Sequence, residues 1–553
     1  MADTHLNPII RGFAPDPSLV VVDGVYYLVN SSFHMFPGLP IYASTDLKTW
    51  THIGNALNRP SQINLQRTFS KLWNRGGESG DDVHAYQGGL YAPTIRYRNG
   101  TFYIVCTNVE HDRSWKLTED DFRNFIVWTT DIWSDEWSDP VYYDFKGIDT
   151  SLFWDDDGRV YLIGSASPAE EATASGDMDQ IAATTIDQFE IDLRTGQKLS
   201  PVRTLWAGVT RIFPEGPHMY KKDGWYYLLI AEGGCFEGHE TIMARSRDIW
   251  GPYEANPRNP VLPRADPQGY VQFTGHGDLF QDATTGQWYF VCLGARKLPT
   301  GHFLMGRETF LTRASWLRGE FPTIETVVLD PVVSGAAQQP PRELPPVRPS
   351  QLSVTPDVGL LHIRYPDACR YRYEGGGSNN NNNNNIIILI PSRAPLDQAD
   401  EPVTFVGRRQ RRLYGESSVL LHGLDDTTNA GALQTGLCYY RDEVRFTTVG
   451  VDVAAREIVL HVVNRAKKIE RRVTQSAEPF LSAGTSGRLV LGVIYRETEL
   501  AFWFSHGENG ARCELAVVDS LEMSGYDFVG PVIGIFATGD VEVPVRFGNL
   551  VVQ

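Results

Sequence analysis

The feature that most constrains this chain is a recurring turn. A Gly turn that opens an aromatic strand appears as Asp23-Gly24-Val25-Tyr26-Tyr27, Asn99-Gly100-Thr101-Phe102-Tyr103 and Asp157-Gly158-Arg159-Val160-Tyr161. It returns as Asp223-Gly224-Trp225-Tyr226-Tyr227 and Thr285-Gly286-Gln287-Trp288-Tyr289. Asn-Gly and Asp-Gly supply the positive φ angles of a tight hairpin, and the flanking β-branched and aromatic residues read as its strands. The final Tyr of each unit falls at 27, 103, 161, 227 and 289, giving intervals of 76, 58, 66 and 62 residues. A second signal follows most units: Ser44-Thr45-Asp46-Leu47-Lys48-Thr49-Trp50, Thr129-Thr130-Asp131-Ile132-Trp133, Ser246-Arg247-Asp248-Ile249-Trp250 and, more weakly, 312–316. Five units of about four short strands each predict an all-β fold, a five-bladed β-propeller with sheets packed radially around a channel.

The repeat also locates chemistry. Counting 11 to 13 residues back from each Tyr reaches Asp16, Tyr91, Asp149, Glu215 and His276. In a propeller these equivalent places converge at one mouth of the channel. The acids sit beside Pro and Gly, in Phe13-Ala14-Pro15-Asp16-Pro17, Gly147-Ile148-Asp149-Thr150 and Phe213-Pro214-Glu215-Gly216-Pro217, which fixes the strand ends as a rigid site requires. Crowded carboxylates push one another's pKa values apart. A proton donor beside a proton acceptor is the arrangement that glycoside hydrolysis uses. The competing readings are strand caps, a structural ion site, or a non-catalytic carbohydrate-binding propeller. Three acids in register favour catalysis.

Topology extends this site. The loops after the second strands, 30–36, 108–111 on toward Trp115, 165–168, 232–236 and 294–296, rim the pocket. Phe33, Phe36, Trp115 and Phe236 are placed to pack on a sugar ring. Arg296 offers a fixed fork of donors for hydroxyls or a carboxylate. Ala166, between Ser165 and Ser167, leaves a wide rim that suits debranching of a polymer and some cleavage within its backbone.

Composition removes other classes. With 50 Lys and Arg against 67 Asp and Glu the formal charge is −17, which argues against a nucleic-acid partner. The basic run Arg408-Arg409-Gln410-Arg411-Arg412 therefore reads as a solvated strand. No apolar run approaches the roughly 20 residues of a membrane span. The six cysteines are scattered without a CxxC pair, and GxGxxG, Walker and HExxH patterns are absent, so neither a zinc site nor nucleotide chemistry is indicated. The first residues have no apolar signal core, which reads as a secreted mature chain without its signal peptide or, alternatively, as a cytoplasmic protein.

The second half differs. Residues 331–350 are Pro-rich and read as a linker between a domain at 1–330 and another at 351–553. Strand-like runs at 417–421, 443–448, 457–463, 488–495, 500–504, 531–537 and 545–552 predict a β-sandwich. Seven consecutive Asn at 379–385 followed by an apolar run carry no structural expectation.

The segments Asn7-Pro8-Ile9-Ile10-Arg11-Gly12-Phe13-Ala14-Pro15-Asp16-Pro17-Ser18 and Gly147-Ile148-Asp149-Thr150-Ser151-Leu152-Phe153-Trp154-Asp155-Asp156-Asp157-Gly158 resemble glycoside hydrolase family 43. So do Phe213-Pro214-Glu215-Gly216-Pro217, Gly275-His276-Gly277 and Arg296. The resemblance covers the first ~330 residues. It implies a five-bladed propeller and an inverting mechanism, with Asp16 as general base, Glu215 as general acid and Asp149 orienting Glu215 and holding its pKa high. Base and acid would then lie roughly 6.5–9.5 Å apart, leaving room for a water. It implies no cofactor for catalysis, His276 at the channel axis holding water or a structural calcium, and Arg296 on sugar hydroxyls. Thr150 departs from the family's usual Pro without changing an acid. The second domain becomes a concanavalin-like β-sandwich that packs on the propeller. The implied activity is removal of α-L-arabinofuranosyl side chains from arabinoxylan, with β-xylosidase action on xylo-oligosaccharides as the alternative.

Overall fold

The Gly turns fold as their residue types require. In the computed structural model each joins the first two strands of a four-stranded antiparallel sheet, and five such sheets follow one another along the chain. The structure describes residues 5–74, 83–113, 120–167, 181–299, 301, 303–333, 342–375, 386–423, 431–481 and 488–553. At Asp23-Gly24, Asn99-Gly100 and Asp223-Gly224 both central residues have positive φ, 51° and 77°, 49° and 82°, and 53° and 75°. That geometry matches the twist of the strands on either side. At Asp157-Gly158 and Thr285-Gly286 only the glycine is positive, at 84° and 71°, and the turns are longer.

The second recurring signal is a turn between third and fourth strands, closed by its Asp. Asp46 accepts the backbone N–H groups of Lys48 and Thr49 at 2.8 and 2.7 Å. Asp131 accepts that of Trp133 at 3.0 Å and Asp248 that of Trp250 at 2.9 Å. A carboxylate that bonds backbone two residues on replaces a backbone turn, which is why Asp recurs there.

The first strands of the five sheets are Ser18–Val22, Gly89–Arg98, Gly147–Trp154, Glu215–Lys222 and Val271–Gln281. Each touches the first strand of the sheets on either side, and the fifth touches the first, so they close a ring. The N-terminal segment seals it: Ile9 donates to Thr309 at 2.9 Å, and the buried Asn7 amide donates to Leu311 and Val328 carbonyls at 2.8 and 2.7 Å.

The second half forms two larger antiparallel sheets. One has seven strands in the order Tyr371–Glu374, Ile386–Leu389, Val545–Val551, Gly415–His422, Leu489–Tyr495, Glu499–His506 and Arg512–Asp519. The other has six, in the order Phe405–Arg409, Val532–Thr538, Gln434–Asp442, Arg445–Asp452, Glu457–Asn464 and Ile469–Ser476. Leu421, Leu491 and Phe502 from the first meet Leu437, Val449 and Ile535 from the second in one buried core. Each such side chain contributes about 1.5–3 kcal/mol by leaving water.

Within the Pro-rich stretch Leu344 and Val347 pack against the core of the first two sheets, and Ser350 donates its N–H to Asp135 at 3.2 Å. Two sequence expectations change here. Phe36 is not on a rim: its strand Met35–Phe36 pairs with His362–Ile363 of the second half, leaving Phe36 only 1% exposed. The basic run is not a solvated strand, because Arg409 is 4% exposed. Among the described residues no helix is long and apolar enough to cross a membrane. The Asn run at 379–385 lies outside the described residues.

Candidate active site

The residues picked out by counting back from the turns stand where the ladders break. Register shifts follow Tyr91, Asp149 (between Ile148 and Ser151) and Glu215, and they flank His276. Asp16, Asp149 and His276 have φ of 49°, 56° and 40°, and Gly216 beside Glu215 has 58°. A bulge re-aims a side chain out of the pleat, and positive φ at a non-glycine residue is strain that surrounding structure must hold. Here it turns side chains of the inner strands toward one mouth of the ring.

That mouth is a cavity of about 410 Å³. Asp16, Asp149, Glu215, His276, Tyr91 and Phe33 line it, with Ala166 and Phe236 on the rim loops as the strand count places them. Asp16 accepts the Ser31 hydroxyl at 2.6 Å and lies 3.6 Å from the Arg307 guanidinium. Asp149 accepts the backbone N–H of Gly216 at 3.2 Å, tying it to the strand end that carries Glu215. The His276 ring lies 3.9 Å from both Asp16 and Asp149, and His239 lies 3.8 Å from Glu215.

Burial raises the Glu215 carboxyl to about 7, with Arg307 opposing and the charge of Asp16 adding to the rise. Burial also lifts Asp149 well above the ordinary range, reinforced by the charges of Glu215 and Asp16. His239 and His276 are pushed down by burial, so both rings are neutral at pH 7. Burial thus favours the protonated forms of Glu215 and Asp149, while Asp16 accepts a hydroxyl and lies beside the Arg307 guanidinium.

The structure redirects one sequence assignment and adds several residues. Arg296 does not line the pocket. It is 2% exposed and spends its fork on Glu308, at 2.6 and 2.8 Å. Arg307 lines the pocket instead, reaching Asp16 and donating to the Cys235 carbonyl at 2.9 Å. It opens a third strand, Arg307–Ser315, one strand beyond the loops that follow the second strands. Trp73, His84 and Tyr86 come from a hairpin, Ser70–Asn74 with Val83–Gln87, inserted between the first and second sheets. The first repeat interval, 76 residues against 58 to 66 elsewhere, is its trace in the sequence. Phe528 arrives from the second half, stacked on Phe33 at 5.8 Å and Phe236 at 5.9 Å, with the Arg307 guanidinium 4.1 Å from its ring. Trp115 lies outside the described residues.

Among the described residues no group of three or more His, Cys, Asp and Glu side chains is arranged to hold a metal ion. Arg96 donates to Asp278 at 2.7 Å and Ser18 at 3.2 Å and meets His218 at 2.8 Å. Burial works against the Asp278 carboxylate, but Arg96 outweighs it and holds the group down at about 2.

The sequence profile of Glycosyl hydrolases family 43 matches residues 5–322. The chain belongs to glycoside hydrolase family 43. Among curated family 43 relatives, a xylosidase/arabinosidase of Butyrivibrio fibrisolvens is 37% identical over 358 residues, 64% of this chain and 61% of that one. A non-reducing end α-L-arabinofuranosidase of Bacteroides ovatus is 36% identical over 323 residues, 58% of this chain and 53% of that one. The matched part thus spans about half to three-fifths of the length of these relatives. Among solved structures, a xylan β-1,4-xylosidase from Bacillus halodurans C-125 superposes with a TM-score of 0.78 at 26% identity, over 98% of each chain.

Proposed function

We propose that this chain is an inverting exo-glycoside hydrolase that removes α-L-arabinofuranosyl side chains from arabinoxylan. In this reading the five sheets are the blades of a β-propeller catalytic domain, and the second half is a concanavalin-like accessory sandwich. The observation that carries it is the set of three carboxylates lining one pocket, Asp16 and Asp149 buried and Glu215 half-buried, with the Glu215 carboxyl raised to about 7 and Asp16 beside Arg307. Glu215 gives its proton to the glycosidic oxygen as that bond breaks. Asp16 takes a proton from the water that attacks the anomeric carbon from the opposite face. Asp149, bonded to Gly216 N–H, is a positioning residue for Glu215. Burial of Glu215 and the Asp16 charge support its raised pKa, and Asp149, which the charge of Glu215 raises in turn, helps to hold it high.

Exo action is supported by the walls. Phe528, Phe236 and Phe33 stack across one side of the cavity, and Tyr526 donates to Glu237 across the rim. A walled pocket admits a chain end or a side chain and resists a threaded backbone. The small Ser165-Ala166-Ser167 wall leaves space beside the bound sugar for the branched polymer. β-Xylosidase action on xylo-oligosaccharides is the second reading, favoured by the same aromatic closure and by relatives named for both activities. Incubation with arabinoxylan and, separately, with linear xylo-oligosaccharides decides between them. Arabinose from the polymer is the expected product. Xylose released stepwise from oligosaccharide ends, with no arabinose, would overturn it in favour of the second reading.

A further inference from the structure

A second cavity, of about 550 Å³, lies where the first sheet meets the strand Phe405–Arg409 of the second half. Its charge is unlike that of the molecule as a whole. Arg11, Lys48, Arg408, Arg409 and Arg411 line it against a single carboxylate, Asp357, on a chain whose formal charge is −17. Arg408 satisfies Asp357, at 2.9 and 3.2 Å. Arg411 is spent on neutral acceptors, the Arg11 carbonyl and the Tyr42 hydroxyl, both at 2.6 Å.

Arg409 has no such outlet. It is 4% exposed, and its Nε and one terminal nitrogen are fully buried without a hydrogen-bond partner. Among the described residues no carboxylate lies within ion-pair distance of it. Its nearest ring contact is Phe13, 5.2 Å from the guanidinium carbon. A buried cation without a counter-charge is strongly disfavoured. Burial and the neighbouring Arg411 lower its pKa only to about 10, so it remains charged at pH 7. His52, at the same cavity, is held neutral by burial and by the charges of Arg409 and Arg411, so it adds no further positive charge.

We propose that this cavity is a binding site for a small oxyanion, phosphate or the carboxylate of an acidic sugar, with Arg409 as its anchor and Arg411 and Lys48 completing the cationic wall. An oxygen-bearing anion in the cavity supplies the counter-charge that Arg409 lacks. Tyr42 and Trp50, which also line the cavity, offer ring faces to a sugar bearing the charge. The site is separate from the catalytic pocket: no residue lines both cavities.

Isothermal titration of the intact protein with inorganic phosphate and, separately, with D-glucuronate tests the site, at an ionic strength held constant with chloride. Saturable binding of at least one is expected; phosphate alone marks a free oxyanion site, and tighter glucuronate marks an acidic sugar. Arg409→Met should weaken that binding by about tenfold or more. It should also raise the melting temperature in anion-free buffer, because it removes an uncompensated buried charge. Lys48→Glu, on an exposed residue, should weaken binding with the fold untouched, and it decides the matter if Arg409→Met does not fold. Absence of saturable binding for both anions, or affinity unchanged in the variants that fold, overturns the proposal.

Discussion

The three-acid pocket and the seam between the two halves both enclose carboxylates, and they move Glu215 and Asp442 in opposite directions. In the pocket Asp16, Asp149 and Glu215 share one guanidinium, that of Arg307. At the seam Asp442 and Asp527 face Arg445 and Arg441: Arg441 reaches Asp527 at 2.5 Å, and Arg445 bridges Asp527 and Asp442. Burial favours protonation of Asp442, but Arg445 overrides it and keeps the group below the ordinary carboxylate range. Burial of Glu215 is not overridden, because Asp16 adds negative charge where Arg307 removes it. For these two acids the balance between burial and neighbouring charge decides the direction: Arg445 outweighs burial at Asp442, while at Glu215, as at Glu443 beside Arg364, burial prevails.

Breaking the comparison at the pocket should give the largest effect. Glu215→Gln preserves size and packing but cannot release a proton, so turnover on a substrate with a poor leaving group should fall by about 10²–10⁴-fold, with an unchanged melting profile at acid pH. A non-catalytic propeller would have no turnover to lose. At the seam the same kind of substitution should cost stability. Arg445→Met leaves Asp442 and Asp527 short of a counter-charge and should lower unfolding stability by about 3–5 kcal/mol, read from the urea midpoint. A loss under 1 kcal/mol would mean that water already compensates this cluster. Phe528→Ala, which links the two regions, should sit below both. It removes the ring under the Arg307 guanidinium, a contact worth about 1–2 kcal/mol when desolvated. Its kcat/KM should fall by about tenfold, with the urea midpoint moving less than in Arg445→Met.

The two regions were also unequally legible in the sequence. Asp16, Asp149, Glu215 and His276 could be found because each stands at a fixed count from a Gly turn, and the turn chemistry fixes both strand pairing and the direction of the inner strand. Arg307 lies on a third strand, outside that count, whereas Arg296 stands in a rim loop that the count reaches. Only the Glu308 side chain, which sequence spacing does not place, shows that Arg296 is already engaged. Trp73, His84 and Tyr86 sit on an inserted hairpin with no repeat to index it. Phe528 and the seam arginines depend on how the halves meet, and periodicity within either half is silent on that. Arg409 is hidden for a related reason: a basic run on an acidic chain suggests a solvated face, yet packing at the junction buries two consecutive residues of it, Arg409 and Gln410.

The pH dependence sharpens the same comparison with a smaller effect. Folding raises Glu215 from the ordinary 4.5 to about 7. Between those values the folded chain keeps a proton that the unfolded chain has released. Stability therefore declines as pH rises through that window and levels off above it. Glu215→Gln removes this dependence, so the difference in stability between variant and wild type should shift in favour of the variant from pH 5 to pH 8, by on the order of 2 kcal/mol. Turnover of the wild type should fall across the upper end of the same window, because the donor form is lost there. Asp442, held low by Arg445, should contribute the opposite slope, with its stabilisation lost only as pH falls through the acid range. Urea midpoints at pH 5 and pH 8 for the two proteins are the measurement. If their difference stays constant across that interval, the proton is not held on Glu215, and the contrast between pocket and seam rests on geometry alone.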